Sequence, residues 1–525
     1  MLNMKATIQI DTNNVLRTVA SFSLGVSLAG WDRYLSTLAG GFGVTPDPQT
    51  VAAIRDANLP LLRLSNGSGA DEWHFTTGDA NLAGAGLLAS VTEAALADAL
   101  VTVNYGTGTP EEAAAYAAYL NGTTENTFPI GVDSSGVDWG TVADWATLRG
   151  QLPSGGDSLD HLRIGHPDPF GFSLFEVGNE VYFHAWAGAP ESVDPKDYVA
   201  FAKSFSTKIE MISPQASIGV GVGNPIEWDD LWNIPMLKEC AAQGFTPGFL
   251  SDHFYVYDGH QETLSDQELL TNSVSNPGST MLIHAFAPRN WAGRAQAYRS
   301  LLSDQLGASG DAVRLMCAEF NSDADAANKQ GTSLVRGLLV ADAIGSALLT
   351  EYCGVIYWDL RNSYLSVDDD PSLALYGWRE GGDSGLLGSD SGMPPATGPY
   401  VFYPSYFGVQ LASKIATGCS ALVHAASDVS ELSVYAGVQT DGHLKLLLIN
   451  KSPTVAFDAT VDIAGFAAAG TATSWQYGTE EDNAQSTTAD GAASLTMSSV
   501  TVAATAAGVQ VTSTSPAYSM TVLEL

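Results

Sequence analysis

The feature that most constrains this chain is an alternation of short apolar runs and helical segments, repeated about eight times between residues 21 and 415. Most runs start apolar and end in polar or aromatic residues. Between them lie segments with helical periodicity and capping residues. The strand-like runs are Ser23–Gly30, Leu59–Ser65, Ala99–Gly106, Phe172–Glu180, Ala216–Gly223, Phe249–Tyr257, Arg314–Ser322 and Tyr352–Arg361, and the clearest helical segments are Thr109–Leu120, Pro195–Ser213 and Thr332–Thr350. This pattern predicts an α/β fold, a (β/α)8 TIM barrel with its functional residues at the carboxyl ends of the strands.

An open, doubly wound sheet is the alternative interpretation of the same alternation. Such a sheet carries a glycine-rich phosphate loop after an early strand, and this chain has none there. The segment Val220–Asn224 (VGVGN) has a superficial likeness to that loop, but it lies mid-chain and Pro225 follows it. The pattern therefore favours the barrel.

The composition changes after residue 415. Residues 416–525 are rich in Thr, Val, Ser and Ala and alternate with a period of two, which predicts an accessory all-β sandwich. The N-terminal run Lys5–Asp11 is also strand-like. We therefore predict that residues 1–20 join the sandwich, that residues 21–415 form the barrel and that residues 416–525 form the rest of the sandwich.

Charge in this chain is scarce and one-sided. Lys and Arg number 22 against 57 Asp and Glu, a formal charge of −35, and charged residues make up 15% of the chain against a usual ~25%. Such a protein is repelled by nucleic acid and by anionic membranes. The chain contains no apolar stretch of about 18 residues, the length that would predict a membrane span. Its first residues also lack the pattern of a secretory signal. The composition favours a secreted or periplasmic protein, with a cytoplasmic one as the alternative.

The cysteines lie far apart and form no CxxC pair, so we expect buried free thiols rather than a zinc site or a disulfide framework. They are Cys240, Cys317, Cys353 and Cys419. Without a bulge, strand alternation places Cys317 inside the barrel with Glu319, and Cys353 toward the helices. We predict neither a metal nor a cofactor.

Two glutamates end predicted barrel strands. Glu180 ends the fourth run (FEVGNE), and Glu319 lies near the end of the seventh (MCAEFNS). Because a carboxylate is costly to bury unpaired, we expect both to face a shared cleft at the carboxyl rim. Two carboxylates across a cleft suit glycosidic bond cleavage, in which one protonates the leaving oxygen while the other attacks the anomeric carbon or activates water. The alternative is that each glutamate merely ends a strand.

These motifs resemble those of the clan A retaining glycoside hydrolases. Gly178-Asn179-Glu180 is similar to the acid/base motif of that clan, and the segment AEFN around Glu319 is similar to its nucleophile strand. VNYGTGTPEEAAAYAAYLNG and FEVGNEVYFHAW are similar to segments of α-L-arabinofuranosidases and of related β-xylosidases and β-glucuronidases. Those groups also combine a TIM barrel with a C-terminal β-sandwich. Where arabinofuranosidases often have Pro or a plain turn after the acid/base, this chain has Val181–Trp186 (VYFHAW).

The resemblance implies a retaining double displacement with Glu180 as acid/base and Glu319 as nucleophile. It also implies contacts to the substrate or the nucleophile from residues that match the clan at other strand ends: Arg63, His253, Tyr255 and Trp358. Asn179, and less directly Asn104, are candidates to bind a sugar hydroxyl. Glu180 must start protonated, so we expect its pKa to be raised, and retaining enzymes hold the two carboxyls about 5–5.5 Å apart.

Further side chains beyond the strand ends are candidate sugar contacts, with ordinary packing as the alternative for each: Trp73, Tyr182, His184, Trp186 and Tyr257. Arg361 and Arg379 follow the eighth strand, where they could clamp a uronate carboxylate or pair with local acids.

Carbohydrate is the predicted partner, and the acidic composition favours neutral sugars. An arabinofuranosidase-like or xylosidase-like hydrolase of plant or microbial polysaccharide therefore comes first. A β-glucuronidase-like exo-enzyme and an endo-acting glucanase or xylanase follow. A non-catalytic carbohydrate-binding protein is the alternative of another class, and the two glutamates argue against it.

Overall fold

The computed structural model describes the chain from residue 2 to residue 525. The described part leaves out residues 20–21, 39–42, 80, 185–192, 258–263, 272–273, 276–278, 280, 284–285, 324–328, 363–364, 367–380, 390–397, 469 and 486–493.

The described residues form strands and helices in the following order. The strands are β1 (Leu2–Thr18), β2 (Ser23–Ala29), β3 (Leu61–Ser65), β4 (Asp98–Val103), β5 (Leu174–Val177), β6 (Ser217–Val222), β7 (Phe249–Tyr257), β8 (Leu282–Ile283), β9 (Ala287–Pro288), β10 (Arg314–Asp323), β11 (Tyr352–Tyr357), β12 (Leu365–Ser366), β13 (Gly381–Gly382), β14 (Cys419–Ser427), β15 (Leu432–Gln439), β16 (Leu444–Asn450), β17 (Val455–Ala464), β18 (Gly470–Gly478), β19 (Thr496–Ala504), β20 (Gly508–Ser515) and β21 (Ser519–Glu524). The α-helices are α1 (Pro48–Asp56), α2 (Ala85–Ala94), α3 (Pro110–Asn121), α4 (Val142–Gly150), α5 (Pro195–Ile212), α6 (Ile234–Gln243), α7 (Asp266–Thr271), α8 (Trp291–Leu306), α9 (Leu334–Leu348), α10 (Pro404–Ala416) and α11 (Thr479–Gln485).

Eight parallel strands close into the predicted TIM barrel. Their order is β2, β3, β4, β5, β6, β7, β10 and β11, and β11 pairs back onto β2. The lower part of the barrel interior is filled by apolar side chains that alternate with outward-facing ones, namely Leu61, Leu100, Leu174, Phe249, Met316, Ala318 and Ile356. Since the interior is packed, polar side chains that face inward above this layer meet at the carboxyl rim.

A separate all-β unit follows the barrel, as the composition predicts. Nine strands form one closed sheet in the order β1, β14, β15, β16, β21, β18, β19, β20 and β17. The N-terminal strand β1 joins this sheet between β14, to which it runs antiparallel, and β17, to which it runs parallel. The sequence pattern did not predict β14. Against the barrel, Tyr435 of β15 donates a hydrogen bond to Asp342 of α9 at 2.8 Å.

The predicted facing of two cysteines is wrong. A bulge in β10 pairs Cys317 with Asp252 but Glu319 with His253, and Ala318 faces the barrel interior in place of Cys317. Cys317 packs in the outer apolar layer, while Cys353, beside a second register shift, packs against the interior cluster. All four cysteines are free thiols, as expected.

No helix of the described part combines the length and the apolar character needed to span a bilayer.

Candidate active site

Arg63 lies at the centre of the site. Strand alternation turns this residue of β3 into the barrel, where it is fully buried. Its Nε donates to Oε1 of Glu176 at 2.5 Å, its Nη1 to Oε1 of Glu319 at 2.5 Å and its Nη2 to Oδ1 of Asn179 at 2.8 Å. Burial opposes the charge, but the two carboxylates outweigh it and raise the pKa of Arg63. The guanidinium therefore fixes three side chains from two other strands.

Glu319 is held by donors on both carboxylate oxygens. The bulge in β10 brings it level with His253 of the neighbouring β7. Its Oε1 accepts from Arg63, and its Oε2 accepts from the Tyr255 hydroxyl at 2.6 Å. Nδ1 of His253 lies 3.4 Å from the same Oε2. These donors stabilise an oriented, ionised carboxylate.

Glu180 projects from a sharp turn after β5. Its φ is +50°, and Gly178 two residues before has a φ of +75°, where an added Cβ would lie 2.5 Å from Val181. The turn leaves the Glu180 side chain 22% exposed, whereas that of Glu319 is 5% exposed. Oε1 of Glu180 accepts from the Tyr182 hydroxyl at 3.1 Å and lies 2.8 Å from Nδ1 of His253.

His253 lies between the two glutamates. Carboxylate oxygens of Glu180 and Glu319 and a ring nitrogen of His253 all lie within 4.8 Å of one another. Burial disfavours protonation of the ring, yet the carboxylates of Glu319 and Glu180 raise the pKa of His253. Burial likewise opposes ionisation of Glu180, but the hydrogen bond and charge of His253 lower its pKa. The expectation that the pKa of Glu180 is raised is therefore wrong for the unliganded site.

Asn179 is fixed from two sides. Its side-chain oxygen accepts from Arg63, and its backbone N–H donates to Asp71 at 3.1 Å. Asp71 also accepts from the backbone N–H of Tyr105 at 3.1 Å, and burial raises its pKa to about 6. Sequence reasoning missed Asp71, because its role depends on a contact across 108 residues.

Glu176 is the second residue that sequence reasoning missed. It is 1% exposed and accepts from Thr102 at 2.6 Å and Ser251 at 2.7 Å as well as from Arg63. Burial alone would raise its pKa, but Arg63 and its other neighbours lower it. The signal was visible in the sequence, since an acidic residue interrupts the apolar run LFEV.

An aromatic pair lies beside this cluster. Trp358 follows β11, and its ring meets that of Trp31 edge to face with centroids 6.2 Å apart. Gly67 approaches Trp358 so closely that a Cβ there would lie 2.8 Å from the indole. Trp31 is 38% exposed, so the pair offers apolar surface at the rim.

Asn104 does not meet the two glutamates. Its amide donates to the backbone oxygen of Trp73 and to Thr107, and its oxygen accepts from the backbone N–H groups of Thr107 and Gly108. These bonds organise the loop after β4. Tyr257 is also committed elsewhere, because it is 2% exposed and donates to Gln330 at 2.9 Å.

Of the remaining candidates beyond the strand ends, Tyr182 contacts a candidate catalytic glutamate and Trp73 packs in a loop. Tyr182 reaches Glu180 and packs with Phe183 and Trp228 at centroid distances of 4.7 and 5.5 Å. Trp73 packs edge to face on Tyr116. His184 is exposed at the end of the short helix after Glu180, and Trp186 lies outside the described residues.

Arg361 is not available to a substrate carboxylate. It is buried, its Nη1 lies 2.9 Å from Oδ2 of Asp32, and it also donates to Thr50 and to the backbone oxygen of Pro399. The local pairing that the sequence left open is thus the one observed. Arg379 lies outside the described residues.

Within the part of the chain that the structure describes, Glu180, His253 and Glu319 are the one group of potential metal ligands with donor atoms this close. Arg63 donates to Glu319 inside the same group. A cation there would face the guanidinium charge, so these side chains suit proton exchange better than a metal.

No protein-family model matches the chain, and no curated protein matches it by sequence. By structure it is similar to an α-L-arabinofuranosidase from Thermotoga maritima, with a TM-score of 0.68 and 16% identity over 99% of this chain and 100% of that one. It is also similar to a family 51 arabinofuranosidase from Xanthomonas axonopodis pv. citri (TM-score 0.62, 15% identity, 99% and 100% covered) and to a bifunctional glucanase–xylanase from a metagenome library (0.58, 16%, 100% and 99%). At this identity the likeness confirms the fold, a TIM barrel with an all-β domain.

Proposed function

We propose that this chain is a retaining O-glycoside hydrolase of plant or microbial polysaccharides and oligosaccharides. Glu180 is its acid/base, and Glu319 is its nucleophile. The observation that carries the proposal is the approach of carboxylate oxygens of the two residues to within 4.8 Å. Oxygens this close are compatible with the carboxyl separation of about 5–5.5 Å in retaining enzymes, whereas inverting enzymes hold the two carboxyls about 6.5–9.5 Å apart to admit a water molecule.

In the first step, Glu319 attacks the anomeric carbon and the bond to the leaving oxygen breaks. Arg63 and Tyr255 support this role because they donate hydrogen bonds to the two carboxylate oxygens and orient them. Glu180 gives its proton to the leaving oxygen, which departs as an alcohol. The products are a glycosyl ester on Glu319 and an ionised Glu180.

In the second step, water attacks the anomeric carbon of the ester. Ionised Glu180 takes a proton from that water, and Glu319 leaves as a carboxylate. His253 supports the recycling of the acid, since its Nδ1 lies 2.8 Å from Glu180 and its ring can hold the proton gained in the second step until the next substrate binds. Asn179, anchored through its oxygen to Arg63, keeps its amide nitrogen for a sugar hydroxyl.

The favoured substrate is a neutral pentoside, which makes the activity arabinofuranosidase-like or xylosidase-like. The fold likeness to two arabinofuranosidases supports this choice. The argument for a uronate-specific enzyme is weaker, because Arg361 is paired with Asp32 and does not offer its charge to a substrate carboxylate.

An endo-acting glucanase or xylanase is the second candidate. The exposed Trp31 beside Trp358 favours it, since extended sugar chains bind along aromatic surfaces. The likeness to a bifunctional glucanase–xylanase points the same way.

The test is hydrolysis of aryl α-L-arabinofuranoside, β-D-xyloside, β-D-glucuronide and β-D-glucoside by wild type and by Glu319→Ala, with and without azide. We expect activity on one glycoside, its loss in the variant, and partial rescue by azide with a glycosyl azide of inverted configuration. Glu112→Ala is the matched control, because Glu112 is also buried but pairs with His74.

Two outcomes separate the candidates. If wild type does not hydrolyse the aryl glycosides but releases reducing ends from xylan or glucan, the protein is an endo-acting enzyme. If wild type hydrolyses neither the aryl glycosides nor the polysaccharides but still binds sugar, the protein is a non-catalytic carbohydrate-binding protein. Activity that survives Glu319→Ala would refute the nucleophile assignment.

A further inference from the structure

Glu176 is a buried carboxylate to which the two-step reaction assigns no task. It lies on β5 four residues before Glu180 and faces the barrel interior at 1% exposure. Its Oε1 accepts from Nε of Arg63 and from Thr102, and its Oε2 accepts from Ser251. The carboxylate thus links β3, β4, β5 and β7 beneath the two candidate catalytic glutamates.

Ionised carboxylates are expensive to bury, so this one depends on its donors. Arg63 is the one cationic side chain that contacts it within the described residues, and Arg63 contacts Glu319 at the same distance of 2.5 Å. One guanidinium charge is therefore divided between two carboxylates. The three side chains carry a net charge of about −1 while Glu319 is ionised, by simple addition of their charges.

That sum changes during the proposed reaction. When Glu319 becomes a glycosyl ester, its negative charge is lost. Arg63 would then be a buried cation facing a neutral ester, which is a costly arrangement without another anion. Glu176 is positioned to be that anion, because its bond to Nε of Arg63 does not involve Glu319.

We propose that Glu176 is a positioning residue that divides the charge of Arg63 with Glu319 and remains the counter-ion of Arg63 in the covalent intermediate. The part of this inference that concerns the covalent intermediate rests on the proposed function. By drawing part of the guanidinium charge away, Glu176 keeps Glu319 a competent nucleophile. It also limits how readily the Glu319 carboxylate leaves the anomeric carbon before water is in place.

Other titratable groups also surround Glu319 and Glu176, and they stay unchanged in every variant considered. Around Glu319 and Glu176 they are Asp71, Glu180, Tyr182, His253, Tyr255, Cys317 and Asp359. Because none of them bonds directly to Glu176, replacing Glu176 changes the anions that pair with Arg63 and leaves these other groups in place.

The decisive variant is Glu176→Gln, which keeps an acceptor for Arg63 but removes the charge. Arg63 then acts on Glu319 alone and stabilises its ionised form. We expect the pH midpoint for carbodiimide labelling of Glu319, followed by peptide mass spectrometry, to fall by about one unit. We expect kcat/KM to fall about tenfold and its acidic limb to move down with the midpoint, while kcat changes less, because ester formation slows and ester hydrolysis does not.

Glu176→Asp completes a graded series and carries the test if the Gln variant does not fold. It keeps the charge but moves it away from Arg63, so the midpoint should fall by less. The controls are Thr102→Val and Ser251→Ala, which each remove one donor to Glu176 while its charge stays. They should leave the midpoint of Glu319 in place.

Labelling needs no substrate, so it separates this inference from the proposed function. A midpoint that moves in a protein inactive on every glycoside would support the charge division and refute the hydrolase. An active enzyme whose labelling midpoint and acidic limb both stay fixed in Glu176→Gln and Glu176→Asp would overturn the inference. Equal shifts in the Thr102 and Ser251 controls would also overturn it, because they would indicate a purely packing effect.

Discussion

The Nδ1 atom of His253 lies 2.8 Å from Oε1 of Glu180, close enough for the two side chains to share one proton. Against the effect of burial, the carboxylates of Glu319 and Glu180 raise the pKa of His253, and His253 lowers the pKa of Glu180, so these shifts favour the imidazole over the carboxylate for a shared proton. In the proposed mechanism the proton donor is then the Glu180–His253 pair, whose titration belongs to both groups. A sugar hydroxyl that displaces the ring would return the proton to Glu180.

Replacing His253 should therefore alter the pH profile as well as the rate. The raised pKa of His253 keeps a proton in the pair above the ordinary value of 6.5. We expect His253→Gln to move the basic limb of kcat/KM to lower pH and to lower kcat/KM by roughly 10- to 100-fold. His74→Gln is the control, because His74 also pairs with a glutamate, Glu112, but bonds to neither Glu180 nor Glu319 among the described residues. A basic limb that does not move would show that Glu180 titrates alone.

Loss of the acid should depend on the leaving group. In Glu180→Gln the leaving oxygen departs without a proton, which costs most when it is a poor leaving group. We expect kcat/KM on sugar leaving groups to fall by about 10²- to 10⁴-fold, with little loss on dinitrophenyl glycosides. The measurement is a series of aryl glycosides of decreasing leaving-group acidity, with Glu112→Gln as the control. Equal losses across the series would contradict the acid assignment.

Tyr255 should act through the nucleophile. Its hydroxyl donates to Oε2 of Glu319 at 2.6 Å, and a hydrogen bond to a charged group contributes about 1.5–3 kcal/mol. We expect Tyr255→Phe to lower kcat/KM by roughly 10- to 100-fold. Tyr257→Phe is matched in strand and chemistry, but its hydroxyl bonds to Gln330, so activity should stay near that of wild type. Equal losses in both variants would indicate a general packing effect.

The barrel and the positions of its rim residues could be predicted because they follow from local pattern. Apolar runs that end in polar residues mark the strands, and parallel strands present those ends at one rim. Glu180 and Glu319 therefore meet in space although they are far apart in sequence. Alternation also predicts that His253 and Tyr255 face the same side of β7, as they do.

The remaining features depend on contacts that no local pattern contains. The bulge before Glu319 shifts the register by one residue and turns Cys317 outward, against simple alternation. Asn104 looks like a rim residue in sequence, but the loop after β4 turns back and occupies its side chain. The direction of the pKa shift of Glu180 depends on His253, which belongs to another strand.

Asp359 offers a prediction about stability rather than catalysis. It is fully buried, and neither carboxylate oxygen has a hydrogen-bond partner among the residues that the structure describes. Burial, followed by the charges of Asp383, Asp32 and Glu319, raises its pKa well above the ordinary 3.8. The folded protein therefore holds a proton that the unfolded chain releases above about pH 4, so Asp359 lowers stability as pH rises from there.

Asp359→Asn removes this pH-dependent cost without breaking a hydrogen bond. We expect its melting temperature to match that of wild type near pH 4 and to exceed it by a growing margin toward pH 8. Thermal melts across this range measure the difference. Asp441→Asn is the control of opposite sign, because hydrogen bonds from His443 lower the pKa of the exposed Asp441; the deficit of that variant should appear as pH rises through the ordinary value of 3.8 and then stay level. An Asp359→Asn variant that is less stable than wild type at pH 8 would mean that the ionised carboxylate has a stabilising partner.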